Sequence, residues 1–219
     1  METNTPTMDR FLKDIQLQFY NSPGSNRWNS VSTPLKLWPS INNIKEWENH
    51  PHLKIKRLDM WKYFSNELTK LNINSSLDIG CASGQFTLFQ RLKGINSFGI
   101  DPQEYFLYSN SKDFLDNGLD PKKYLFLGDL ENFIKQINST PFKIGCVSFL
   151  NFIHGWNGSD EECLQLFKSI SPHCKYLLTS QPQYQSQSIK YLHSITNKVI
   201  CYYNQIDIPR ETHYLIELK

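Results

Sequence analysis

From residue 70 onward the chain alternates between two textures. Short apolar runs of strand character are separated by amphipathic stretches with helical spacing. The strand runs are "LDI" (Leu77–Ile79), "NSFGID", "KYLFLGDL", "IGCVSFLNF", "YLLTSQ", "KVICYYNQI" and "THYLIELK". Between them lie "QFTLFQRLK", then "PQEYFLYSNSKDFLDNG", which reads as one helix closed by Gly118, then "ENFIKQI". Two more helices follow. One sits behind a capping-box signature at Ser159 and Glu162 and carries Cys163, Phe167 and Ile170 on one side; the other carries Ser188, Tyr191, Leu192 and Ile195. Alternation of this kind predicts an α/β chain: a doubly wound, mostly parallel sheet of seven strands with helices on both faces and right-handed crossovers. The last two runs are joined by a short link around Pro209. They predict a closing hairpin that adds one antiparallel strand.

The first 70 residues have a different character. Met8, Phe11, Leu12, Ile15 and Phe19 mark one face of a helix over residues 8–20, and Leu58, Trp61, Phe64 and Leu68 mark a second over 57–70. Residues 21–56 have no period. They hold Pro23, Gly24, Pro34, Pro39 and Pro51 together with Trp28, Trp38 and Trp47. A disordered linker does not spend that many aromatics, so an ordered, irregular segment is expected. The organisation predicted is a helical, aromatic-rich cap over residues 1–70 and a ligand-binding domain over 71–219.

With 39% hydrophobic residues and a net charge of +2, the chain can bury a core and lacks the basic excess of a dedicated nucleic-acid binder. A local patch at Lys54, Lys56 and Arg57 keeps an RNA or anionic partner open. The five cysteines are widely spaced and form no CxxC pair, which argues against a disulfide framework or a zinc site, and no cluster of metal ligands is apparent. No long apolar span and no secretory leader are read, so a cytosolic chain without a membrane partner is expected, as a monomer or homodimer.

In open α/β sheets ligands bind at the carboxyl ends of the strands. The first strand end reads D-x-G-x-A-x-G: Asp78, Gly80, Ala82, Gly84. Glycines here let the backbone bend and let a ligand approach closely. The dinucleotide fingerprint GxGxxG wants glycines at 82 and 85, where the chain has Ala82 and Gln85, so a pyrophosphate cradle is disfavoured. Asp101 stands at the second strand end, where a carboxylate can accept both hydroxyls of a ribose; with Pro102 it also reads as a helix start. Asp129 stands at the third, as an adenine-side acceptor or as an N-cap.

The acid-x-Gly-x-(Gly/Ala)-x-Gly loop, with the strand–helix series behind it, resembles the first motif of the class I S-adenosylmethionine-dependent methyltransferases. The resemblance covers residues from about 70 to 219 and implies a Rossmann-like methyltransferase fold with S-adenosyl-L-methionine as cofactor. It places Asp78, Gly80, Cys81, Ala82 and Gly84 at the methionine part of the cofactor, Asp101 and Pro102 at the ribose, and Asp129 and Leu130 at the adenine. Leu150 and Asn151, after the fourth strand, lie beside the cofactor in this resemblance. The (Asp/Asn)-Pro-Pro-aromatic run of many N-methyltransferases is not kept there, because Phe152 and Ile153 follow Asn151.

His154 is the candidate general base, since imidazole titrates near working pH; packing of the loop is the competing reading. His173 and His213 are expected at the surface. Trp28, Trp38, Trp156 and Tyr184 are candidates for the acceptor pocket. The activity expected is methyl transfer to a small-molecule hydroxyl, on a sugar or secondary metabolite. The alternatives are a methyltransferase of RNA or protein, or a non-catalytic subunit of the same fold. An aminopropyltransferase expects paired acids after the fourth strand, and "FLNFIHGW" has none.

Overall fold

A computed structural model describes residues 7–21, 58–107, 111–139, 143–150, 160–180, 187–204 and 212–219. In chain order the elements are α1 (Met8–Tyr20), α2 (Leu58–Lys70), β1 (Ser75–Ile79), α3 (Gln85–Leu92), β2 (Asn96–Asp101), α4 (Glu104–Leu107), α5 (Ser111–Asp116), a 3-10 turn (Pro121–Lys123), β3 (Leu125–Leu127), α6 (Leu130–Asn138), β4 (Ile144–Phe149), α7 (Asp160–Ile170), β5 (Cys174–Ser180), α8 (Gln187–Ile195), β6 (Thr196–Asn204) and β7 (Thr212–Leu218). The single helix expected over 102–118 is described as two pieces, α4 and α5, with 108–110 outside the described residues. Residues 21–56, apart from Asn21, also lie outside them.

The strands form one sheet in the order β3-β2-β1-β4-β5-β7-β6. β1 to β5 are parallel, and β7 runs antiparallel between β5 and β6. The chain therefore builds outward from β1 through β2 to β3, then returns to lay β4 on β1's other side. The winding reverses between β1 and β4, and a crevice opens at such a reversal.

Each face of the sheet carries its own core. One face buries Cys146, Tyr176, Leu178 and Leu215 against Met60, Phe64 and Leu68 of α2 and Leu88 and Phe89 of α3. The other buries Leu77, Ile79, Val147 and Leu177 against Leu12 and Ile15 of α1, Phe133 of α6 and Phe167 of α7. These strands are mostly apolar because both faces are covered, with a few buried polar residues such as Asp78 and Ser148 among them. Among the described residues no helix is long and apolar enough to cross a membrane.

α1 follows from its pattern, since Met8, Phe11, Leu12 and Ile15 fall on one face and all are buried. It lies along α6, with the Phe11 and Phe133 rings edge to face at 6.0 Å and Gln18 donating to Gln136 at 2.7 Å. It also closes an exposed flank. β3 is an edge strand, and its Leu127 N–H donates to Gln16 Oε1 at 2.9 Å. The glutamine stands in for the strand that is missing there. Gln16→Leu keeps the bulk and removes the acceptor; the unpaired N–H is expected to cost about 1–2 kcal/mol, a fall of about 2–8 °C in melting temperature read by calorimetry.

Candidate functional site

The loop after β1 turns through three left-handed residues: Gly80 (φ 73), Ala82 (φ 49) and Gly84 (φ 73). Two hydrogen bonds hold its start to the neighbouring strand, from the Gly80 and Cys81 N–H groups to the Ile100 carbonyl at 2.9 and 3.2 Å. Gly84 closes the loop and opens α3 without a side-chain cap. A Cβ on Gly84 would lie 2.5 Å from Leu125 Cδ2, so this glycine meets a packing demand as well as a conformational one.

Ala82 is the unusual member, because a left-handed alanine costs about 1–2 kcal/mol. Its N–H donates to Asp101 Oδ2 at 2.9 Å. Asp101 Oδ1 accepts from the Gln103 N–H, also at 2.9 Å. The carboxylate at the end of β2 thus braces both the loop and the turn that follows. A carboxylate offers about four lone-pair positions, so two backbone donors leave room for two hydroxyls. The Asp101 bond to Gln103 closes the turn ahead of α4, which begins at Glu104. The Gly128 N–H donates to the Asp101 carbonyl at 3.1 Å, which carries the same brace to the end of β3.

Asp129 does cap a helix: its Oδ1 accepts from the Asn132 N–H at 2.9 Å at the start of α6. One oxygen serves the cap. Leu130 is half-buried at the first position of that helix, Pro102 is half-buried, and Leu150 is buried just past β4.

Asp78 is buried on β1, two residues before Gly80. Its Oδ1 accepts from Ser148 Oγ at 2.6 Å, across the β1–β4 boundary. Burial pushes the Asp78 carboxyl up to about 7; the Ser148 bond pulls it down and the nearby Asp101 pushes it up further. Burial likewise raises Asp101 to about 6, against the two backbone N–H bonds. Among the described residues neither acid pairs with a lysine or arginine. Two buried carboxyls with raised pKa at adjacent strand ends, held by donors but without a cation, mark a candidate site for a ligand that carries hydroxyls and positive charge.

The structure thus brings Asp78, Gly80, Cys81, Ala82, Gly84, Asp101, Pro102, Asp129, Leu130 and Leu150 to the ends of four neighbouring strands. Asn151, His154, Trp28, Trp38, Trp156 and Tyr184 lie outside the described residues. One histidine is corrected. His213 is fully buried, with Nδ1 2.9 Å from Ser180 Oγ, because β7 inserts between β5 and β6 instead of lying at the sheet edge. His173 is half-buried. Ser148 was missed by sequence reasoning. Its only signal is a lone hydroxyl in the apolar run "IGCVSFLNF", and nothing local says that its partner lies seventy residues earlier.

No protein-family model matches the chain, and no curated protein matches it. Solved structures do. Magnesium protoporphyrin IX methyltransferase from Synechocystis PCC 6803, with bound SAM, superposes with a TM-score of 0.59 at 17% identity, over 99% of this chain and 100% of that one. A S-adenosylmethionine-dependent methyltransferase from Clostridium acetobutylicum ATCC 824 gives 0.53 at 17% identity, over 80% of this chain and 99% of its own. The bifunctional kinase-methyltransferase WbdD gives 0.53 at 17% identity over 82% of this chain, which spans only 44% of that protein. The chain has the class I S-adenosylmethionine-dependent methyltransferase fold.

Proposed function

We propose that this chain binds S-adenosyl-L-methionine across the ends of β1, β2 and β3 and transfers its methyl group to a hydroxyl of a small acceptor molecule. The observation that carries the cofactor is Asp101: a buried carboxylate at the second strand end, fixed by two backbone N–H groups and with acceptor positions to spare. The described residues fit a nucleoside with an amino-acid tail. Asp101 suits the ribose hydroxyls, Asp129 and the Leu130 amide suit the adenine edge, and the 80–84 loop with Asp78 suits the methionine part. Solved neighbours of the same fold hold SAM and SAH, which supports this assignment.

When bound, the cofactor supplies an electrophilic methyl on a sulfonium. The chain's own contribution is alignment and exclusion of water. Asp101 is held in place before the ligand arrives, so it needs no reorganisation to receive two hydroxyls. On the acceptor side, His154 takes the hydroxyl proton, and Trp28, Trp38, Trp156 and Tyr184 wall the pocket. In this reading residues 71–219 form the binding domain and residues 1–70 its cap. The nearly balanced charge supports a small acceptor over a nucleic acid. So does the magnesium protoporphyrin IX methyltransferase, which this chain spans along its whole length.

Calorimetric titration with S-adenosylmethionine and S-adenosylhomocysteine tests the reading. Micromolar binding is expected for the wild type, and Asp101→Ala is expected to weaken it at least about thirtyfold, since hydrogen bonds to a charged group are worth about 1.5–3 kcal/mol each. Absence of binding by the wild type overturns the cofactor assignment. Labelled-methyl transfer to RNA at low salt, without transfer to small hydroxyl compounds, overturns the acceptor assignment.

A further inference from the structure

The winding of the sheet reverses between β1 and β4, and the Ser148 hydroxyl reaches across that boundary at its ligand-binding end, where the Leu77 carbonyl at 3.5 Å is a second, longer acceptor. Ser148 Oγ donates to Asp78 Oδ1 at 2.6 Å. The two residues are direct partners in the β1–β4 register, and the partner of Asp78 on its other side is Gly99 of β2. Asp78 thus has a hydroxyl on one flank and no side chain on the other. Gly99 has no space for one: an added Cβ would lie 2.6 Å from Cys81 Sγ and 2.9 Å from Thr87 Oγ1. Both partners are buried, Ser148 at 1% exposed and Asp78 at 5%.

A serine in the middle of a two-faced apolar strand is costly unless its hydroxyl is used. Here it is given to an acid that has no cationic partner among the described residues. For stability alone, an apolar pair of similar size would avoid burying a carboxyl here. The arrangement is reasonable if the carboxylate is kept for a ligand.

We propose that Ser148 is a positioning residue of the cofactor site: its hydroxyl fixes the Asp78 carboxylate as the acceptor for the ammonium group of the ligand's amino-acid tail. The inference rests on the cofactor reading above. It adds a residue from the opposite side of the topological switch, and a pH dependence.

The groups that face Asp78 are Asp101 at the end of β2, Cys81 in the loop after β1 and Cys146 on β4. The Asp101 carboxylate disfavours charge on Asp78. Burial holds both thiols protonated, well above their ordinary range. Ser148 is the group on the described residues that favours the charged form. Without it, the Asp78 carboxyl rises further from its value of about 7, and a smaller fraction is ionised at neutral pH. Affinity for a cationic tail then rises with pH, and the rise sits at higher pH in the variant.

The test is S-adenosylhomocysteine binding by calorimetry from pH 6 to pH 8.5, for wild type, Ser148→Ala, Ser148→Thr and Asp78→Asn. The ligand's own amino group titrates identically in every case, so it cancels in the affinity ratio of variant to wild type. Ser148→Ala is expected to bind about tenfold more weakly than wild type at pH 6.5 and within about twofold at pH 8.5, for the loss of one hydrogen bond to a charged group. Ser148→Thr, which keeps the hydroxyl, restores the wild-type profile. Asp78→Asn binds weakly with little pH dependence. A Ser148→Ala deficit that is the same at every pH marks a packing role and overturns the inference, as does an unchanged affinity throughout. Both results leave the cofactor reading standing; no binding by wild type removes that reading itself.

Discussion

Asp78→Asn is expected to make the ligand-free protein more stable and to make it a poor binder. The wild-type carboxyl has a folded-state pKa of about 7, raised by burial from an ordinary 3.8. A carboxyl raised on folding leaves stability intact at low pH, below the unfolded value. It loses stability as pH climbs through the folded value, because charge must then be held in a buried place. The cost accumulates between about pH 4 and pH 7 and is complete near pH 8, on the order of 4 kcal/mol at most. Asparagine keeps an acceptor oxygen for Ser148 and carries no charge. At pH 8 a gain of about 1–4 kcal/mol is expected, a rise of several degrees in melting temperature; at pH 4 the two proteins should melt alike. The same variant should bind S-adenosylhomocysteine at least tenfold more weakly at pH 8, since the ligand's ammonium loses its anionic partner. Scanning calorimetry at both pH values and one titration check this. Equal stability at pH 8 would show that the buried charge is relieved in the folded state, and would remove the physical basis for calling the acid a reserved ligand group. Asp101 moves in the same direction, with its carboxyl at about 6, so the wild-type protein without ligand should itself soften between about pH 4 and pH 7.

Gly128→Val is the second large effect, and it tests whether α1 belongs to the site. Gly128 follows β3 and precedes the Asp129 cap. A Cβ there would lie 2.6 Å from Ile15 Cγ2 and 2.8 Å from Ile100 Cδ1. Both isoleucines are fully or almost fully buried, and the Cγ2 methyl of a β-branched side chain has little freedom to swing aside. The strain has two outlets. It lifts α1 from the sheet, which also draws Gln16 away from the Leu127 N–H, or it moves the β3 end, which carries Asp129 and the bond from Gly128 to the Asp101 carbonyl. Overpacking of this kind costs about 1–3 kcal/mol, and a nucleoside affinity lowered about tenfold or more is expected beside the stability loss. Adding Ile15→Ala to Gly128→Val opens the space again. The pair should then couple in a double-mutant cycle, with affinity recovered together with stability. Stability recovered without affinity would detach α1 from the ligand end of the sheet.

Much of the frame was legible from local pattern. The alternation after residue 70 gave the order of the strands and their hairpin ending, because burial on two faces leaves near-continuous apolar runs and helices leave a 3.6-residue period. The D-x-G-x-A-x-G loop was readable because its left-handed turns restrict residue type wherever the loop occurs. The placement of Asp101 and Asp129 at the ends of β2 and β3 was readable from the apolar runs that precede them. At Asp129 the structure shows the helix cap, and at Asp101 a turn brace. A carboxylate has more acceptor positions than one backbone bond uses, so Asp101 can brace a turn and still receive hydroxyls.

His213 and Ser148 were not legible, for a common reason. Each owes its environment to a strand that is distant in sequence: His213 to β7 inserting beside β5, Ser148 to β4 returning to lie against β1. Sequence alone determined that this chain would fold as a doubly wound sheet with an acidic, glycine-bearing first turn, because periodicity and backbone conformation are properties of neighbouring residues. Tertiary structure alone decided that Asp78 would face a serine hydroxyl across the reversal of the sheet, and that its charge would be costly to hold. Burial and the electrostatic field at a carboxyl are set by everything packed around it, whatever its place in the chain.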